Sequence, residues 1–190
     1  MKDQLKYFPV NWMDGMKINK SHFIAQDNAW CNALADTAAL SLSPIRFGIL
    51  PSSVAGESNF SVNIAIDNQG TLRASVQACQ AITSGGVRIH LPSISESSPD
   101  GAPAASFDFK ASNSESIYWV VLTANPYERI AGGSPDVSEN PPRYPYATSS
   151  YKVQVISNSQ YSQYTGNPYA LFIGKVLVNG NDIRVDDEYI

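Results

Sequence analysis

The sequence predicts a mainly β protein, an antiparallel β-sandwich with an N-terminal α-helix. Three observations carry that expectation. Phe60, Val62, Ile64 and Ile66 alternate with polar residues, and Leu72, Ala74, Val76 and Ala78 do so again beyond the turn Asp67-Asn68-Gln69-Gly70. A period of two marks half-buried strands, and the turn between them makes a hairpin. Residues 118–124 (YWVVLTA) form a near-continuous apolar run, which suits a central buried strand. A helical pattern occurs near the start of the chain, and about eight short strands follow it.

In chain order, two short apolar pieces at 7–10 and 16–18 join across Asp14-Gly15. Asp-Gly is a strong turn signal because Gly tolerates positive φ. A helix starts near Asn19, a good N-cap residue. Its apolar stripe is Phe23, Trp30, Leu34, Thr37 and Ala38, and Pro44 ends it. Residues 45–50 precede the hairpin as a strand. Residues 87–91 follow it as another, entered through Ser84-Gly85-Gly86. The Ser-, Pro-, Ala- and Asp-rich stretch 93–114 reads as a surface loop with a short strand at 107–110. Residues 126–150 contain Pro135, Pro141, Pro142, Pro145 and Gly132-Gly133, which predicts an excursion rather than a sheet. A loop of that length is often functional or ordered by a partner. Strands follow at 151–157 and 169–178, then a turn at Asn179-Gly180-Asn181 and a return strand at 183–185. There is no internal repeat.

A chain of 190 residues suits one domain, 1–190, and can bury roughly 70% of its unfolded surface without a disulfide or metal. With 43% hydrophobic and 16% charged residues it is a globular chain. A net charge of -4 and the absence of a basic run argue against nucleic acid as a partner. No apolar stretch reaches membrane-spanning length, and MKDQLKYFPV lacks the core of a signal peptide. Cys31 and Cys79 fit no metal or redox spacing, and free thiols without a signal peptide point to the cytoplasm. The end, Asp186 to Ile190, carries no stop signal and reads as the edge of a longer chain.

Nothing converges on chemistry. His90, alone on a strand, is the kind of His that is usually structural, and Asp27 lies off the helical face of His22. No spacing supplies the three or four ligands of a metal site, so no metal or cofactor is expected. Ser21 and Cys31 lack a base and an orienting acid. Asp186, Asp187 and Glu188 read as a solvated charged end. Gly132-Gly133 lies outside the strand-to-helix context of a phosphate loop. The expectation is a protein without enzymatic activity. The loop tyrosines Tyr144, Tyr146, Tyr161, Tyr164 and Tyr169 suit protein interfaces or sugar stacking, so a carbohydrate-binding module is the alternative from another class.

The run Trp12-Met13-Asp14-Gly15-Met16, then Ile18, His22-Phe23 and Gln26-Asp27, resembles the N-terminal signature of the TssK family, baseplate subunits of type VI secretion systems. Gly15, Met16, His22, Phe23 and Asp27 match the family pattern. Lys20 and Ser21 depart from it, standing where the family has Pro and Gln. Phe47-Gly48, the hairpin region from Cys79 to Pro92, and Asp187-Glu188-Tyr189-Ile190 are further points of similarity. Residues 93–114 and 126–150 have no family counterpart.

The resemblance implies the N-terminal shell domain of a longer, non-enzymatic subunit. Its fold would be a sandwich similar to the shoulder domain of phage receptor-binding proteins, and a phage-tail protein of that kind is the related alternative. The family's partners are the TssF and TssG baseplate subunits. Family members trimerise, and the resemblance implies that a helical middle domain and a C-terminal domain that reaches the inner-membrane complex are both missing here. The implied location is the baseplate at the cytoplasmic face of the inner membrane. Partner-binding candidates are Trp12, Met16, His22, Phe23 and Asp27, with Tyr144 and Tyr146 as a second surface. For Trp12, Met16 and Phe23 the leading expectation is a packing corner that sets the helix on the sheet. His22 is expected to be a polar group satisfied at the helix N-terminus.

Overall fold

A computed structural model describes residues 7–43, 45–52, 58–91, 102–109, 115–180 and 182–189. Helix α1 (Lys20–Ala39) precedes two antiparallel sheets. In the first sheet, β3 (Thr71–Ile82) pairs with β1 (Gly48–Ile49), β2 (Phe60–Ile66), β4 (Arg88–Leu91) and β5 (Ala104–Asp108). The second sheet has the order β7-β6-β8-β9, built from β6 (Ile117–Gly132), β7 (Tyr146–Ser157), β8 (Ala170–Asn179) and β9 (Asp182–Val185). The mainly β antiparallel sandwich with its N-terminal helix is therefore present.

The alternation in β3 is what makes two layers. Leu72, Ala74 and Val76 all point to one side and join Ile89 in a single core cluster with Tyr118, Val120, Leu122, Ile173 and Val176 of the second sheet. Tyr118 anchors it, packing edge-on against Phe109 at 4.9 Å and beside Phe107 at 5.3 Å. The alternate residues of β6 face the other way. There Val121 and Trp119 meet Ile156, Phe172 and Tyr164 in a second, smaller cluster. Both faces of β6 are covered, so the strand reads as an unbroken apolar run.

Several elements differ from their sequence-based expectation. Residues 158–160 form a 3-10 turn leading into a short helix, α2 (Tyr161–Thr165), which brings Tyr164 to that outer cluster. The strand expected at 45–50 is only Gly48–Ile49. The strand expected at 107–110 is displaced to Ala104–Asp108, and most of 93–114 lies outside the described residues. The helix ends at Ala39, ahead of the expected stop at Pro44, which is itself outside them. The expected excursion at 126–150 is present only at 133–145, which holds Pro135, Pro141, Pro142 and Pro145; on either side β6 and β7 continue as a paired arm from Arg129↔Ser149 to Gly132↔Tyr146. Pro126 fits because it lies in a bulge between Asn125 and Arg129, where no ladder bond is required of it. The arm's tip is closed by backbone bonds between Asp136 and Arg143 and by a two-point contact of Arg143 with Glu139 at 2.8 and 3.0 Å.

Asp186 is likewise more than a solvated end. Lys175 Nζ donates to its carboxylate at 2.7 Å and holds its pKa below the ordinary value. The Ser138 hydroxyl and backbone N–H lower that of Asp136, and Arg143 lowers that of Glu139. A carboxylate whose folded pKa is depressed stabilises the fold above its unfolded value and loses that contribution as pH falls through the folded one. With ordinary values of 3.8 for Asp and 4.5 for Glu, these groups should leave stability flat down to about pH 5. Below that it should decline. Urea midpoints measured from pH 7 to pH 3 check this, and a midpoint that rises on acidification would contradict it.

Gly86 ties the first sheet to the helix. Its φ is +78°, and a Cβ there would collide with the backbone carbonyl oxygen of Ala35 in α1, with Ala38 Cβ also close at 3.1 Å. Gly86→Ala therefore combines left-handed strain of about 1–2 kcal/mol with displacement of the helix. The expected result is a lower thermal midpoint and faster proteolysis within α1, read on one digest gel.

Candidate partner-docking face

Helix α1 starts as expected. Asn19 is the N-cap: its side chain accepts the Ser21 N–H at 3.0 Å, and His22 Nδ1 accepts the Asn19 N–H at 3.2 Å. His22 thus closes a capping box, the role usually taken by Glu or Gln. The Asp14-Gly15 turn also forms, with Gly15 at φ +78° and Met16 N–H donating to Met13 carbonyl at 3.2 Å, but the segments beside it do not pair as strands.

The orientation of the helix is the departure from expectation. Its inner side carries Ala25, Asn28, Ala29, Asn32 and Ala35, which are small or polar and are half-buried or buried. Polar contacts seat it. Arg129 of the β6 bulge donates to Asp27 at 2.9 Å and to Asn28 at 3.3 Å. The Tyr127 hydroxyl donates to Asn32 at 3.1 Å, and Gln26 accepts the Val10 N–H at 3.0 Å. The small side chains let the helix backbone come close to the Gly86 turn.

The large apolar residues point away from the body. Phe23, Trp30 and Leu34 are 58%, 62% and 67% exposed. At 100° per residue they fall within one narrow stripe, about 16 Å long from end to end. Trp12, 47% exposed, extends the stripe at the N-terminal corner, its ring 6.4 Å from Phe23 and 6.1 Å from His22. Phe8, Met13 and Ile18, which precede the helix in the chain, are exposed as well. Trp12 and Phe23 therefore pack on one another, not on the sheet, and the expected packing corner is replaced by an outward aromatic one. Met16 is half-buried. Asp27 is committed to Arg129 and holds the helix in place. Trp30 and Leu34 belong to the outward face although periodicity assigned them to a packed stripe. The overlooked signal was the second period, Ala25, Asn28, Asn32 and Ala35, on the opposite side.

Tyr144 and Tyr146 are on the β6–β7 arm, away from that stripe in the chain, and Tyr146 is 70% exposed. Neither free cysteine pairs. Cys79 is in the core, where burial pushes its thiol up to about 11 and keeps it protonated. Among the described residues no group of His, Cys, Asp and Glu could hold a metal ion, and no helix is long and apolar enough to cross a membrane.

No family model and no curated protein matches the chain. Solved structures do. A chain in a crystal structure of TssK aligns with 93% of this chain at a TM-score of 0.52 and 16% identity. A chain of a type VI secretion system baseplate complex aligns with 95% of it at 0.50 and 15%. A chain of a TssK-TssF-TssG baseplate subcomplex aligns with 97% of it at 0.49 and 15%. This chain spans 40%, 58% and 62% of their respective lengths. The fold is thus similar to that of TssK, the family the opening motif resembles.

Proposed function

We propose that this chain is a TssK-like N-terminal shell domain that joins a type VI secretion baseplate by binding TssF-like and TssG-like subunits, without enzymatic activity. The observation that carries the proposal is the outward stripe of α1 on a fold similar to TssK. Trp12, Phe23, Trp30 and Leu34 contribute little to the chain's own core and remain in water. Burying each against a partner is worth roughly 1.5–3 kcal/mol, and Trp in particular recurs among the few residues that dominate binding energy. The polar seat of the helix, centred on Arg129, fixes the stripe before binding and so lowers the ordering cost. In this reading the arm with Tyr144 and Tyr146 is a second contact. In this reading the full-length protein self-associates as a trimer and reaches the inner-membrane complex through C-terminal domains, and the assembly sits at the cytoplasmic face of the inner membrane.

Co-expression with TssF-like and TssG-like proteins tests the proposal. The chain should elute with them as one complex. A folded chain that elutes alone, even when a fused trimerisation tag supplies avidity, would overturn it.

A further inference from the structure

We propose that the groove beside the β6 bulge, between β7 and α2, binds a neutral saccharide. This site is separate from the outward stripe and does not depend on it. The cavity measures about 760 Å³, within the range of about 300–1,000 Å³ usual for small-molecule sites.

Among the described residues its charge is balanced: the groove carries one cation and one carboxylate, Lys152 and Glu128, and these face each other at 3.6 Å. A free anion or cation would have to displace that internal partner. Nor is the lining suited to a purely apolar ligand, because amides and hydroxyls lie between the rings.

The amides are donors by construction. Asn125 Oδ1 accepts the Tyr127 N–H at 3.1 Å, and Asn167 Oδ1 accepts the Tyr169 N–H at 2.9 Å. A backbone N–H requires the oxygen end of each amide, so the NH2 ends are left to meet a ligand. Hydroxyl, ring and acetamido oxygens of a sugar accept such bonds.

Aromatic surface completes the set. Tyr7 stacks on Tyr127 at 4.1 Å, and Tyr169 meets Tyr127 edge-on at 6.4 Å. Tyr164, on α2, is held by its hydroxyl bond to Gln154 of β7 at 3.2 Å. Rings fixed in advance offer apolar faces to the C–H side of a pyranose at low entropic cost. A ligand with apolar C–H faces, many oxygens and no charge matches all of these features.

The test is a two-dimensional 15N spectrum of the chain titrated separately with chitotriose, maltotriose, cellotriose and inorganic phosphate at millimolar concentration. At least one trisaccharide should shift the amides of 123–125, 152–154 and 163–167. Gln163, an exposed residue of α2, also lines the groove, and Gln163→Ala and Tyr164→Ala should each weaken that binding about tenfold while keeping the rest of the spectrum. Three outcomes overturn the proposal: no shift with any saccharide, shifts confined to other surfaces, or a response to phosphate alone.

Discussion

Trp30→Ala with Leu34→Ala should abolish binding to TssF-like and TssG-like partners while leaving the fold intact. Each side chain, if central to the interface, supplies about 2 kcal/mol or more, so together they should cost about a thousandfold in affinity. Stability should change by no more than about 0.5 kcal/mol, the usual range for surface substitutions. Ala has the highest helix propensity, so the helix itself is not penalised. Urea unfolding and a pull-down on the same preparation read both quantities. A stability loss of several kcal/mol would show instead that these residues are covered by the chain itself.

Tyr118→Ala should have the opposite signature. Tyr118 is fully buried, packed edge-on against Phe109 and beside Phe107 of β5 in the common core. Removing a large buried ring costs about 3–5 kcal/mol, a large share of the roughly 5–15 kcal/mol that holds a domain together. The variant should express poorly or melt far below the wild type, and binding should fall only because folded protein is lost. A variant with unchanged stability would mean that the two sheets do not depend on this ring.

Much of the sandwich was legible because its signals are local. The alternation of β2 and β3, the Asp67–Gly70 turn and the apolar run of β6 each state their own burial pattern. Asn19 announced the helix start. What sequence could not settle was which side of α1 faces inward. A stripe of Phe23, Trp30 and Leu34 normally marks the buried side of a helix. Here tertiary contacts reverse it. Arg129, a hundred residues away, claims Asp27 and Asn28, and the Gly86 turn admits only a small-residue face. Neither partner is visible in a local window. The arm was missed for a similar reason: Pro135, Pro141, Pro142 and Pro145 signal a loop and do lie in its 133–145 tip, but the strands on either side pair with each other across that tip, which no local window shows. Tyr164 was recognised as an aromatic of interest, yet its groove exists only because α2 folds over β7.

The most direct test of the docking face is site-specific photo-crosslinking in the co-expressed assembly. A photoreactive residue at position 34 should crosslink to a TssF-like or TssG-like subunit. The same residue at Ser106, exposed on β5, should not. Crosslinks from position 106 with none from position 34, in an assembly that still forms, would show that the outward stripe of α1 is not the surface that joins the baseplate.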